Sequence, residues 1–241
     1  MHRFFAERID EKTVRLLPDE ARHAKVVLRL GAGDEICVVL EDTLYSAAIL
    51  DDGDGIKAGL IAPLPSPEPQ THVTLFQGLP KGEKFDFLIQ KCTEAGIRSI
   101  IPVKMERCVA KIDDRDGAKK KERWQRIALE AAKQSGRTHV PEIGMPVSEN
   151  ALSGLLKAFD LVLVPWEDAR GYSVKKALQD APLARNIALI IGPEGGMSGE
   201  EIARFTAIGA KPVTLGRRIF RTETAGLAGL IMILQEKNEY E

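Results

Sequence analysis

The chain has 241 residues, 44% of them hydrophobic and 29% charged, with 34 Lys and Arg against 35 Asp and Glu. These values exclude a disordered chain and leave room for one or two domains with unstapled cores. A net charge of −1 excludes a protein coated in positive charge, although a total hides any local basic patch. The three cysteines, Cys37, Cys92 and Cys108, show no Cys-x-x-Cys spacing, so neither a disulfide framework nor a zinc ribbon is expected. Cys37 and Cys92 sit among apolar residues and read as inert core thiols in a reducing compartment.

In chain order, residues 18–28 are helix-like, and β-like runs follow at 36–40, 44–50 and 56–61. Gly31-Ala-Gly-Asp34 and Asp51-Asp-Gly-Asp-Gly55 are turn clusters between them. The pattern predicts a small β-barrel. Pro63-Leu-Pro-Ser-Pro-Glu-Pro69 then removes amide donors at alternate positions and ends the module. The domains are therefore expected at 1–69 and 70–241. The first carries a net charge of −5 and the second +4, with +5 concentrated in residues 104–137.

After the linker the rhythm becomes strand and helix in alternation. Strands are expected at 72–77, 99–103, 160–164, 186–191 and 211–215. Helices are expected at 82–97, 119–135, 173–180, 198–208 and 222–236. Ser198-Gly-Glu-Glu201 reads as a capping box, and 186–191 is apolar enough for a parallel strand covered on both faces. This is an α/β domain with a mostly parallel sheet. The opening Met1–Arg8 has no apolar signal region, and 224–234 is too short to cross a bilayer, so a soluble, cytoplasmic protein without membrane partners is expected.

In open α/β sheets, ligands bind at the carboxyl ends of strands. Two such ends stand out: Ile191-Gly-Pro-Glu-Gly-Gly-Met197, and Leu215-Gly-Arg-Arg-Ile-Phe-Arg-Thr-Glu-Thr-Ala225. The first lets backbone approach a ligand closely. The second places charges densely beside an apolar helix, with Thr222 the expected helix cap. Neither is a P-loop or a Rossmann fingerprint, and no Gly-x-Ser-x-Gly elbow occurs. His2, His23, His72 and His139 are never at metal-ligand spacing, so no metal is expected.

These two loops resemble the second and third motifs of the SPOUT methyltransferases. More narrowly the chain resembles the RsmE family, which methylates N3 of a uridine in 16S ribosomal RNA. Further matches are Gln77-Gly-Leu-Pro-Lys-Gly-Glu-Lys84, Gln90-Lys-Cys-Thr-Glu-Ala-Gly96, Glu106-Arg-Cys-Val109, Arg123-Trp124 and Glu130-Ala-Ala-Lys-Gln-Ser-Gly-Arg137. Arg3-Phe4-Phe5, with His23 and Val27-Leu-Arg29, matches the family's PUA-like N-terminal domain, so the likeness covers essentially the whole chain. Phe220 stands where the family has leucine, Gly78 and Cys92 where alanine is common, and Trp166 where a second acidic residue is frequent.

The resemblance implies a PUA-like β-barrel at 1–69 that binds RNA. It implies a trefoil-knotted, S-adenosylmethionine-binding methyltransferase domain at 70–241 and a homodimer. The substrate implied is 16S rRNA in the small ribosomal subunit, not DNA. Methylation of another RNA position, such as a ribose 2′-oxygen, and a non-catalytic assembly factor are the alternatives. The cofactor is expected against Ile191, Gly192, Pro193, Glu194, Gly195, Gly196, Leu215, Gly216, Ile219, Phe220, Thr222, Thr224 and Ala225. N3 of uridine carries a proton and has no free lone pair until it leaves, so the site must stabilise an anion. Arg221 is the expected cation and Glu223 the expected base or base-positioning group, the alternative for Glu223 being a salt bridge to a neighbouring arginine. RNA phosphates are expected at Arg3, His23, Arg29, Lys81, Lys84, Arg107, Lys111, Lys121, Arg123 and Arg137, with Lys119 and Lys120 beside them.

Overall fold

The computed structural model describes residues 1–240 except 52, 54, 110, 111 and 113 and the side chains of 114 and 115. The chain divides into two compact units. One is Met1–Glu68 together with Ala132–His139; the other is Pro69–Ala131 together with Val140–Glu241.

The first unit is a closed barrel of β1 (Arg3–Arg8), β2 (Thr13–Leu16), β3 (Glu35–Leu40), β4 (Thr43–Asp51) and β5 (Lys57–Pro63), in the order β1-β2-β5-β4-β3. Closure comes from the parallel β1–β3 seam, which leaves no free edge. Glu41 and Asp42, at φ +50 and +62, form the two-residue turn of the β3–β4 hairpin. Phe4, Val14, Leu16, Ile36, Val38, Ile49 and Ile56 fill the interior. The expected helix at 18–28 is α1 (Pro18–Arg22), with proline in its first turn, running into a π-helical turn at His23–Val27.

Residues 132–139 complete this unit. Arg137 Nε donates to Glu68 Oε2 at 3.1 Å, and the Thr138 and His139 amides donate to Glu68 Oε1 at 2.7 and 3.0 Å. Lys133 pairs with Glu20 at 2.7 Å, and His139 Nδ1 lies 2.7 Å from an Asp42 carboxylate oxygen. Burial pushes the Glu68 carboxyl up, but Arg137 and the two amides outweigh it and hold it below the ordinary value.

The second unit is built on a seven-stranded sheet of β6 (His72–Gly78), β7 (Ser99–Lys104), β8 (Glu142–Ile143), β9 (Val147–Ser148), β10 (Leu161–Pro165), β11 (Asn186–Ile191) and β12 (Lys211–Val213). The order is β12-β10-β11-β6-β7-β8, with β9 also on β7, and every pairing is parallel. The helices are α2 (Lys84–Glu94), α3 (Asp114–Ser135), α4 (Glu149–Leu155), α5 (Val174–Asp180), α6 (Gly199–Ala207) and α7 (Thr222–Glu236). The last residues of α3 belong to the first unit.

One core gathers Leu75, Leu88, Ile89, Ile100, Leu163, Leu189 and Ile233, and a second gathers Phe76, Val103, Val164, Ala188, Ile190 and Phe205. The alternation along β6, β10 and β11 therefore feeds two apolar layers, as a sheet covered on both faces requires. Cys92 is fully buried, and burial pushes its thiol far up. The capping box of α6 forms as expected: Ser198 accepts from the Glu201 amide, and Glu201 accepts from the Ser198 amide. Among the described residues no helix is long and apolar enough to cross a membrane.

Candidate active site

Because neighbouring strands run parallel, the loops leaving β6, β10, β11 and β12 emerge at one edge of the sheet. Those leaving β10, β11 and β12, with Lys84 beyond β6, surround a cleft of about 650 Å³, a size suited to a cofactor. Its lining contains Ile191, Gly192, Pro193, Glu194 and Gly196 from the first expected loop, and Leu215, Gly216, Ile219, Phe220, Arg221, Thr222 and Ala225 from the second. Gly195 and Thr224 are outside the lining, and so is Glu223.

The glycine loop is held from three directions. A Cβ on Gly192 would meet Met197 Cγ at 2.9 Å, and one on Gly78 would meet Pro193 N at 2.6 Å. Lys81 N and Lys84 Nζ donate to Glu194 Oε1 at 3.0 and 2.8 Å, and Arg107 Nη1 donates to Gly195 O at 3.1 Å. Burial pushes the Glu194 carboxyl up, but Lys84 and the Lys81 amide bring it below the ordinary value. Ser198 Oγ donates to Glu106 Oε2 at 3.2 Å. The motifs at 77–84 and 106–109 thus act as buttresses of this loop.

The second loop stands free. Ile219 is 81% exposed, and Arg217, Arg218 and Arg221 make no side-chain hydrogen bond or ion pair among the described residues. Glu223 is half-buried. Its Oε2 is 4.0 Å from Lys84 Nζ, and that oxygen is buried without a hydrogen-bond partner. Its neighbouring cation is thus a lysine; the expected alternative to a base role was a salt bridge to an arginine.

Several expectations are corrected. The cap of α7 is Arg221, with no side-chain cap bond, and Thr222 is the first helical residue. Its hydroxyl donates to Gly192 O at 2.6 Å and accepts from Gln77 Nε2 at 2.7 Å, so it ties protein to protein. Arg137 is 6% exposed and neutralised by Glu68, which removes it from a phosphate-binding surface. Arg3 turns inward: its Nη1 is buried and would lie 3.1 Å from a Cβ on Gly136. Arg123 pairs with Asp86, and Lys121 lies 3.9 Å from Glu142. His23, Arg29, Lys81, Arg107, Lys119 and Lys120 are exposed, whereas Lys111 lies outside the described residues.

Sequence reasoning missed the third wall, the loop after β10. Trp166, Glu167, Ala169, Arg170 and Gly171 line the cleft, and Glu167 carboxylate oxygens would be 3.8 and 3.9 Å from a Cβ on Gly196. The signal was present, since β10 is another parallel strand ending at the same edge.

Comparison with known proteins places this architecture. A family model described as an RNA methyltransferase domain matches residues 66–234, and one described as an RNA methyltransferase PUA domain matches 16–61. Ribosomal RNA small subunit methyltransferase E of Bacillus subtilis is 33% identical over 245 residues, covering 97% of this chain and 96% of that protein. The chain belongs to the ribosomal RNA small subunit methyltransferase E family. A member of this family from Neisseria gonorrhoeae, solved bound to S-adenosyl methionine, superposes with a TM-score of 0.82 at 29% identity, over 98% of this chain and 97% of that one. A Legionella pneumophila methyltransferase in complex with SAM gives a TM-score of 0.73 at 30% identity, over 97% and 96% of the two chains.

The cleft suits such a cofactor chemically. Backbone at Ile191, Gly192, Gly196, Leu215 and Ile219 offers polar edges to an adenosyl group. The Glu167 carboxylate offers counter-charge to an ammonium or sulfonium, and the loop arginines to a carboxylate.

Proposed function

We propose that this chain methylates N3 of a uridine in 16S rRNA of the small ribosomal subunit, in the cytoplasm, using S-adenosylmethionine. One observation carries the reading: the two motif loops, separated by one helix and one strand, meet in a single cleft with the unpaired cation Arg221 on its wall. The barrel and residues 70–241 are assigned to RNA binding and methyl transfer respectively, the latter as a trefoil-knotted domain. Homodimerisation is part of the proposal. It is supported by α7, which is apolar on every side yet leaves Ile231 41% exposed and Leu227 and Met232 only half-buried.

When bound, S-adenosylmethionine supplies an electrophilic methyl group, so the protein's task is position and charge. Backbone groups of Ile191, Gly192, Gly196, Leu215 and Ile219 would hold the adenosyl part. Arg221 stabilises the negative charge that spreads onto the uracil carbonyl oxygens as the N3 proton leaves. Glu223, outside the cleft lining but with a buried Oε2 that has no hydrogen-bond partner, is the proposed base or base-positioning group for that proton, with Lys84 beside it as counter-charge. The N3 lone pair freed by that proton would take the methyl carbon as its bond to the sulfonium sulfur breaks, the electron pair staying on sulfur and S-adenosylhomocysteine leaving. The base enters the cleft unstacked from its neighbours.

The test is mass spectrometry of 16S rRNA from a strain lacking the gene. Loss of one N3-methyluridine, restored by the purified protein and S-adenosylmethionine, is the expected result. An unchanged N3-methyluridine content rejects the reading, and loss of a 2′-O-methyl group replaces it.

A further inference from the structure

One buried side chain near the cleft, Gln77, has no part in the proposed chemistry. Gln77 is the penultimate residue of β6, fully buried, and paired in register with Ile191 of β11. Both of its amide hydrogens are committed: Nε2 donates to its neighbour's carbonyl, Gly78 O, at 3.0 Å and to Thr222 Oγ1 at 2.7 Å. The reversed amide would face its oxygen against the Gly78 carbonyl, so the network sets the orientation. Since Thr222 Oγ1 accepts from Gln77, its single hydrogen goes to Gly192 O, at 2.6 Å. The direction of one amide thus dictates the direction of one hydroxyl, which fixes the first carbonyl of the glycine loop.

The arrangement carries a cost. Gln77 Oε1 is buried with no hydrogen-bond partner and would lie 3.0 Å from a Cβ on Gly226. An orphaned acceptor in a core is unfavourable, and methionine or leucine at this place in the sheet would avoid it. A residue kept only for packing has no need of that penalty. The Gly192 peptide is meanwhile the point where the loop turns from strand into cleft wall, and Ile191 and Gly192 line the cleft.

Resting on the reading of this cleft as the S-adenosylmethionine site, we infer that Gln77 is a positioning residue for the cofactor: acting through Thr222, it sets the orientation of the Gly192 peptide that receives the adenosyl group. It touches neither cofactor nor RNA. Its influence should fall on cofactor affinity and leave the affinity for rRNA alone.

The experiment is calorimetric titration of S-adenosylmethionine into the full chain, beside steady-state kinetics. Gln77→Met and Thr222→Val keep volume and remove the two donors. Each should weaken cofactor binding about tenfold, the scale of one lost hydrogen bond, raising KM for the cofactor with KM for rRNA unchanged. Thr222→Ser keeps the donor and should bind more tightly than Thr222→Val. The double variant Gln77→Met/Thr222→Val should be no weaker than either single one, because both cut the same relay. Wild-type affinity in Gln77→Met, equal affinities for Thr222→Ser and Thr222→Val, or multiplying effects in the double variant would overturn the inference. If Gln77→Met does not fold, the two Thr222 variants decide it. Wild-type protein that fails to bind S-adenosylmethionine would instead overturn the reading of the cleft itself.

Discussion

The two principal walls of the cleft use glycine for opposite reasons. At the wall after β11, Gly192 and the adjoining Gly78 of β6 are glycine because there is no space, since a Cβ on either would press into Met197 or Pro193; in that wall Gly196, at φ +69, is set by its backbone instead. In the wall after β12, Gly216 has nothing within 4 Å of its would-be Cβ and is needed for its φ of +120. The first wall is locked by packing and by a clamp around Glu194; the second holds unpaired arginines in solvent. The contrast separates two tasks, since a fixed wall can select a ligand's shape while an open one brings charge to a substrate that arrives later.

Arg221→Ala should give the largest effect. Turnover should fall about 100- to 1,000-fold, as for other lost charge stabilisers, with cofactor affinity by calorimetry and thermal stability kept. A parallel loss of cofactor affinity would mean that the open wall also binds. Gly78→Ala attacks the closed wall. It should cost about 2–3 kcal/mol in urea unfolding and weaken the cofactor at the same time, and a neutral result would show that the loop yields. Gly216→Ala meets no neighbour, so only backbone strain of about 1 kcal/mol is expected, less than for Gly78→Ala in the same assay.

The smallest expected effect concerns the Glu194 clamp. Its carboxyl lies below the ordinary value of 4.5, so its contribution is complete above that pH and is lost as pH falls through the lowered value. Glu194→Gln should therefore remove part of the acid dependence of Trp166 fluorescence at the cleft. An identical acid limb in both proteins would show that the clamp holds nothing.

Much of this was legible in the chain itself. The end points of β11 and α7 follow from an unbroken apolar run and from the charge boundary at Thr222. The capping box at Ser198 needs only residues three apart, and it formed. What failed were features whose partner is distant. The hydroxyl of Thr222 reads as a cap or a ligand contact until Gln77, 145 residues away, is placed beside it. Arg137 reads as an RNA contact until Glu68, 69 residues earlier, accounts for its charge. Strand β1 was missed because only Phe4 of its six residues is buried, so no alternation shows. Strands β8 and β9, at two residues each, are too short for any period to register.

The borrowed segment of the barrel has a consequence for synthesis. A chain emerging from the ribosome delivers all five barrel strands well before residues 132–139, which supply the partners of Glu68, Glu20 and Asp42. Until His139 has emerged, the Glu68 carboxylate has neither its guanidinium nor its two amides. The N-terminal module is first in order of translation but cannot be first to finish, so a fragment cut at the proline linker is a barrel whose Glu68, Glu20 and Asp42 lack the partners that residues 132–139 supply.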